Sequence, residues 1–139
     1  MGLVYANIEL ISGEDLVLHR KGYIREGEIK KEQVSALVDT GAYMLAINEN
    51  LMINLGLSKI DTQMIELADG SYQTKDVVGP VEIRFENRRA NVDAIVLPGD
   101  SEVLLGSIPM EDLDVSVNPK EQQLKVNPES PYIAKKKMK

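Results

Sequence analysis

From Val4 to Val126 the chain is written mainly in short runs of β-branched and aliphatic residues, each cut off by turn residues. Runs of this length suit strands and are too short for most helices, so the pattern confines the chain to a mainly β domain. Val4 to Ile11 and Leu16 to Ile24 are two expected strands around Ser12-Gly13-Glu14-Asp15, and the charged segment between Arg25 and Glu32 reads as a solvated turn or hairpin tip. Val34 to Val38 is a short apolar strand that runs directly into Asp39-Thr40-Gly41, and Leu45 to Ile47 is another strand.

Asn48 then has the chemistry of a helix N-cap, since its side chain can accept a bond from an early backbone N–H. Leu51, Met52 and Leu55 share one helical face, and Gly56 suits the C-terminal stop. A hairpin is expected next, Met64 to Ala68 and Tyr72 to Val78, around a two-residue Asp69-Gly70 turn with positive φ at both central positions. Val81 to Phe85 and Ala90 to Leu97 read as a further antiparallel pair joined by Glu86-Asn87-Arg88-Arg89. Val103-Leu104-Leu105-Gly106 is a buried strand ending in glycine, and Pro109 fits the first turn of a helix through Leu113. Val115 and Val117 alternate with polar neighbours, Asn118-Pro119 turns the chain, and Gln123 to Val126 is expected to close the sheet.

With 139 residues, the chain has room for one domain, expected over residues 1–126. The tail, residues 127–139, carries Pro128, Pro131 and four lysines in its last five positions, so it is expected to fray or be disordered. No cysteine is present, which removes disulfides and thiol chemistry. The balance of 16 basic against 22 acidic residues disfavours a nucleic-acid binder. No apolar stretch approaches the roughly 20 residues that cross a bilayer, and the start lacks a signal-peptide pattern. The expectation is a cytoplasmic protein without membrane contact.

His19 is the only histidine and has no partners for a metal or triad site; it is expected to be structural or solvent-facing. The scattered aspartates lack calcium-loop spacing and no glycine-rich phosphate loop follows a strand, so neither metal nor cofactor is expected. Asp39-Thr40-Gly41-Ala42 is the remaining candidate. Taken alone it is read more readily as a turn than as a catalytic loop, because Asp and Gly are favoured turn residues.

Four features in order resemble the retropepsin-like aspartic proteases, the single-domain relatives of retroviral proteases. They are the apolar strand into Ala36-Leu37-Val38-Asp39-Thr40-Gly41-Ala42, a short helix ending in Leu55-Gly56-Leu57, the hairpin Leu67-Ala68-Asp69-Gly70-Ser71, and Val103-Leu104-Leu105-Gly106-Ser107 followed by a helix. The resemblance implies an all-β, small closed barrel-like retropepsin fold with one or two short helices, working as a homodimer. It implies an aspartic-type endopeptidase acting on peptide or protein substrates, with Asp39, Thr40 and Gly41 catalytic. Ala42 and the flap residues Ala68, Asp69, Gly70 and Ser71 would contact substrate, and Leu104, Leu105 and Gly106 would support the Asp39 loop. The turn signal of the hairpin says nothing about function by itself, and an ordinary surface hairpin is the lesser alternative to a flap. Two positions depart from retroviral members: Tyr43 stands where an acidic residue is usual, and the flap tip has a single glycine.

The chemistry implied needs one group to deprotonate water and another to protonate the carbonyl oxygen. Two carboxylates about 3 Å apart do both by sharing a proton, because they cannot both ionise. This chain has one such motif, so the resemblance implies a dyad of two Asp39 residues from two subunits about an isologous two-fold axis. The alternative is a dimeric peptide-binding or interaction module with this fold and little or no turnover.

Overall fold

The computed structural model describes residues 2–138. Met1, at the start of the expected domain, and Lys139, the last tail lysine, lie outside the described residues. Nine strands and three short helices follow in the order β1 (Tyr5–Ser12), α1 (Gly13–Arg20), β2 (Lys31–Val38), β3 (Leu45–Asn48), α2 (Glu49–Leu55), β4 (Ser58–Glu66), β5 (Tyr72–Phe85), β6 (Arg88–Leu97), β7 (Leu104–Leu105), α3 (Ser107–Leu113), β8 (Val115–Asn118) and β9 (Gln123–Val126).

Seven strands form one sheet in the order β1-β2-β7-β3-β6-β5-β4, and β1 also pairs with β5. That extra pairing, Glu9 to Ser12 against Arg84 to Val81, closes six strands into a ring and leaves β4 outside it. This is the small all-β retropepsin fold that the resemblance implies, with three short helices where one or two were expected. The ring's interior is filled by aliphatic side chains: Ile8, Leu10, Leu45, Ile47, Val78, Val81, Ile83 and Leu105 are inaccessible to solvent. Alternate residues of β1 point inward, as the pleat requires.

The long strand β5 serves two partners on one side by bending. Its register slips between Val78 and Val81, at Gly79-Pro80, so its first half pairs with β4 and its second half with β1. The segment expected as a separate Val81 to Phe85 strand is therefore the far half of β5, and the bulge is where a proline fits a sheet. The connection to β6 is the two residues Glu86-Asn87, with Glu86 at φ 51°.

Two other expectations are corrected. Leu16 to Ile24 is no strand: residues 13–20 form helix α1, with the Ser12 hydroxyl accepting from the Asp15 amide at 3.2 Å. Glu14 and Asp15 lie in its first turn and His19 and Arg20 in its last, the charge order that the helix dipole favours. Asp15 is buried and accepts the Lys30 amide at 2.9 Å, tying α1 to the start of β2. Gln123 to Val126 does not close the main sheet either. It pairs with β8 in a separate two-stranded sheet, because the β1–β5 pairing has already closed the ring.

Helix α2 follows expectation. Asn48 Oδ1 accepts from the Leu51 amide at 2.9 Å, Leu51 and Leu55 are buried, and Gly56 ends the helix at φ 61°. Among the described residues no regular element follows β9, and the segment after it lies against Asp114, which caps α3 in the left-handed region at φ 55°. Asp114 accepts from the Ser130 hydroxyl (2.5 Å), Asn127 Nδ2 (2.9 Å) and the Lys135 amide (2.9 Å), and pairs with the buried Arg88 at 3.4 Å. These bonds, the Ser130 hydroxyl foremost, lower the Asp114 carboxyl from 3.8 to about 2.

Candidate active site

Strand β2 delivers Asp39 to a tight turn at its end. The Ala42 amide donates to the Asp39 carbonyl at 3.1 Å, and the Gly41 amide donates to Asp39 Oδ1 at 3.0 Å. A Cβ at Gly41 would sit 3.3 Å from that same oxygen, so glycine leaves room for the carboxylate to reach its own turn. Asp39 is half-buried, whereas Thr40 and Gly41 are exposed. The carboxylate is thus fixed by one backbone donor, at a surface open to a second body.

The turn is held from behind by β7, which is inserted between β2 and β3. Leu37 and Val38 pair parallel with Leu104 and Leu105, and Leu45 and Ala46 pair antiparallel with Leu105 and Leu104. The Asp39 amide donates to the Leu105 carbonyl at 3.0 Å. Gly106 then crosses the outgoing chain so closely that a Cβ there would meet the Met44 carbonyl oxygen at 2.4 Å and the Ala42 carbonyl oxygen at 2.8 Å. From α3, the Ser107 and Ile108 amides donate to the carbonyls of Ala42 and Tyr43 at 2.9 and 3.0 Å. Two segments distant in sequence therefore lock into one unit, with Asp39 at its open end.

The hairpin of β4 and β5 places Ala68, Asp69, Gly70 and Ser71 together at an exposed tip. The tip is a wider turn than the sequence implied. The Leu67 amide donates to the Ser71 carbonyl, the Gly70 amide donates to the Leu67 carbonyl, and only Gly70 has positive φ, 86°. That is a type I turn closed by a left-handed glycine, which leaves Asp69 on ordinary backbone. Asp69 Oδ1 instead accepts the Ser71 hydroxyl and amide at 2.5 and 2.9 Å, which lower its carboxyl below the ordinary value. Among the described residues no hydrogen bond joins this tip to the Asp39 turn.

The structure thus brings Asp39, Thr40, Gly41 and Ala42 together with Leu104, Leu105 and Gly106, while the hydrogen bonds of the hairpin tip run within the hairpin. A family model described as "gag-polyprotein putative aspartyl protease" matches residues 25–111, well over half of the chain. The chain belongs to this aspartyl protease family. The match spans β2, the Asp39 turn, the hairpin and β7, and ends inside α3, so β8, β9 and the tail lie beyond it. No curated protein matches the chain.

Other sequence candidates take no part in this arrangement. His19 sits on α1, half-buried, with Nδ1 3.2 Å from the Ile24 carbonyl. Among the described residues no three acidic or histidine side chains gather where a metal ion would fit, and no helix is long and apolar enough to cross a membrane. What the sequence did not reveal is the neighbourhood of Thr40. An apolar groove of about 340 Å³ beside it is lined by Leu3, Val4, Val38, Val117 and Pro119. Nothing in the spacing of these residues announces that they meet.

Proposed function

We propose that the protein is an aspartic-type endopeptidase whose water-activating dyad is built from Asp39 of two copies of the chain. Family membership supplies the aspartyl protease chemistry, and one observation carries the finer reading. Each chain holds a single Asp39, anchored through its amide and its Oδ1 yet placed in a turn whose Thr40 and Gly41 face solvent. A lone carboxylate cannot act as base and acid in the same step. Two across an axis can, one ionised to take the proton of the attacking water, the other protonated to donate to the carbonyl oxygen. The pair then titrates as a unit.

In this reading Thr40 and Gly41 stiffen the turn, Ala42 borders the substrate, and Leu104, Leu105 and Gly106 hold the turn from behind. The hairpin tip, Ala68 to Ser71, closes over an extended peptide that adds to its strand edge, shielding the reaction from water. Its single left-handed residue, Gly70, gives the tip one point of unusual backbone freedom.

The test is digestion of a peptide library between acidic and neutral pH by the wild type and by Asp39→Asn, with sedimentation of both. Cleavage by the wild type and a loss of about 10²–10⁴-fold in the variant is expected, with self-association retained. Equal cleavage by both forms contradicts the assignment of Asp39. Absence of cleavage by either, with peptide binding intact, points instead to the interaction module.

A further inference from the structure

We infer that the peptides cleaved are cationic: extended segments whose lysine or arginine side chains meet the carboxylates of Glu66, Asp69, Asp100 and Glu102. This inference rests on the protease reading above and names the substrate class of that same site.

The basic residues of the chain are segregated. Residues 32–58, 60–74 and 90–119 contain no lysine, arginine or histidine, so all 16 lysines and arginines lie elsewhere. Those three stretches carry the Asp39 turn, the hairpin tip and β7 with Gly106, which is all of the proposed machinery. Between them they hold twelve carboxylate side chains, so a peptide laid against these segments meets negative charge and no positive one. An acidic surface kept only for solubility needs no such segregation. Elsewhere the chain does mix its signs, as at Arg25 with Glu28, Arg84 with Glu82 and Lys125 with Glu121.

Asp100 and Glu102 are exposed on the loop that leads into β7. The Leu37 amide, two residues before Asp39, donates to the Val103 carbonyl at 2.8 Å, so Glu102 is held beside the end of β2. The loop is fixed along its length. Asn48 Nδ2 donates to the Ser101 carbonyl at 2.9 Å, the Ser101 amide to the Pro98 carbonyl at 3.2 Å, and the Gly99 amide to Glu49 at 2.5 Å. Its two carboxylates are therefore set in place before a peptide arrives. Glu66 and Asp69 are exposed on the hairpin that closes over the peptide in this reading. Bonds from the Ser71 hydroxyl and amide keep Asp69 ionised further into the acid range than a free aspartate.

The chain's own cations do not neutralise these four. Every ion pair among the described residues uses another carboxylate. Lys59 and Lys75 bracket the hairpin but stand back from its tip, and Lys59 is taken by Asp76 at 3.3 Å. Uncompensated charge of one sign along a site concentrates ligands of the opposite sign and speeds their arrival. The carboxylates are spread over separate segments, and among the described residues no three acidic or histidine side chains gather where a metal ion would fit. That spacing suits an extended chain with several positive side chains and does not suit a single ion.

The experiment takes one peptide cleaved in the library digest and places lysine, glutamine or glutamate at the positions flanking its scissile bond. The full chain is expected to cleave them in that order by kcat/KM. Lysine should exceed glutamine at least about tenfold at low salt, and the ratio should shrink as salt screens the charges. Asp100→Asn combined with Glu102→Gln is expected to cut the ratio at least about threefold. Glu26→Gln removes an exposed carboxylate from the segment between α1 and β2 and is expected to leave the ratio unchanged. Circular dichroism checks that the variants fold, and the peptide series on the wild type stands whether or not they do. Equal cleavage of the three peptides, or a preference for glutamate, shows this inference wrong while the protease reading survives. A lysine preference that the double variant leaves untouched overturns the role given to Asp100 and Glu102. Cleavage of none of the peptides, by the wild type or by Asp39→Asn, removes both the protease reading and this inference.

Discussion

The amide of Asp39 donates to the carbonyl of Leu105 at 3.0 Å, joining the end of β2 to the end of a two-residue strand far along the sequence. The next residue, Gly106, lies within contact of the Ala42 and Met44 backbone, so the position of the carboxylate depends on a residue that has no side chain at all.

Gly106 is therefore the most sensitive support of the turn. Its φ is −86°, which any residue adopts, so the constraint is steric and not conformational. Gly106→Ala places a methyl group against two carbonyl oxygens that cannot rotate away, and is expected to destabilise the fold by about 1–3 kcal/mol. Cleavage should fall further than stability alone explains, because the turn holding Asp39 must shift. Thermal melts and turnover on the same preparation check this; unchanged values for both would contradict the packing described.

Asn48 does two jobs that substitution can separate. Its Oδ1 caps α2, and its Nδ2 donates to the Ser101 carbonyl at 2.9 Å, tying the helix to the loop that leads into β7. Asn48→Ala loses both and is expected to cost about 1–2 kcal/mol. Asn48→Asp keeps the cap and loses the donor, so chemical denaturation should place it between the wild type and the alanine variant.

Asp114 makes the attachment of the C-terminal segment sensitive to acid. Its carboxyl lies at about 2 in the folded chain against an ordinary 3.8. A lowered value means that the attachment is complete above the ordinary value and is lost as the pH falls from about 4 through about 2. Amide exchange over residues 127–136, corrected for intrinsic rates, should rise across that window. Ser130→Ala removes the strongest cause of the shift and should move the release to higher pH. Identical profiles for the two proteins would contradict the assignment.

The parts of the fold that were legible in the sequence are those fixed by local chemistry. Asn48 and Gly56 bracket α2 because a cap and a left-handed stop act within a few residues, and Val34 to Val38 reads as a strand because β2 carries its apolar residues there. Helix α1 was misread for a physical reason. Val17 and Leu18 are exposed, while Gly13 and Asp15 are buried, so its apolar residues do not mark its inner face and their spacing says nothing about a helix. The signal that was present was Ser12 three residues before Asp15, a cap with an acidic first turn. At the candidate site, the tripeptide and Leu104-Leu105-Gly106 were visible as motifs. The groove formed by Leu3, Val38 and Val117 was not, since the β1–β2 pairing and the β8–β9 hairpin that assemble it are set by tertiary packing.

The shared dyad is tested most directly by mixing subunits. Wild type and Asp39→Asn are combined at constant total concentration, allowed to exchange, and assayed for cleavage. A dyad built from two chains predicts activity that follows the square of the wild-type fraction, about one quarter at an equal mixture. Activity that falls linearly, to about one half, would show that each chain acts alone and would contradict Asp39 as half of a shared site.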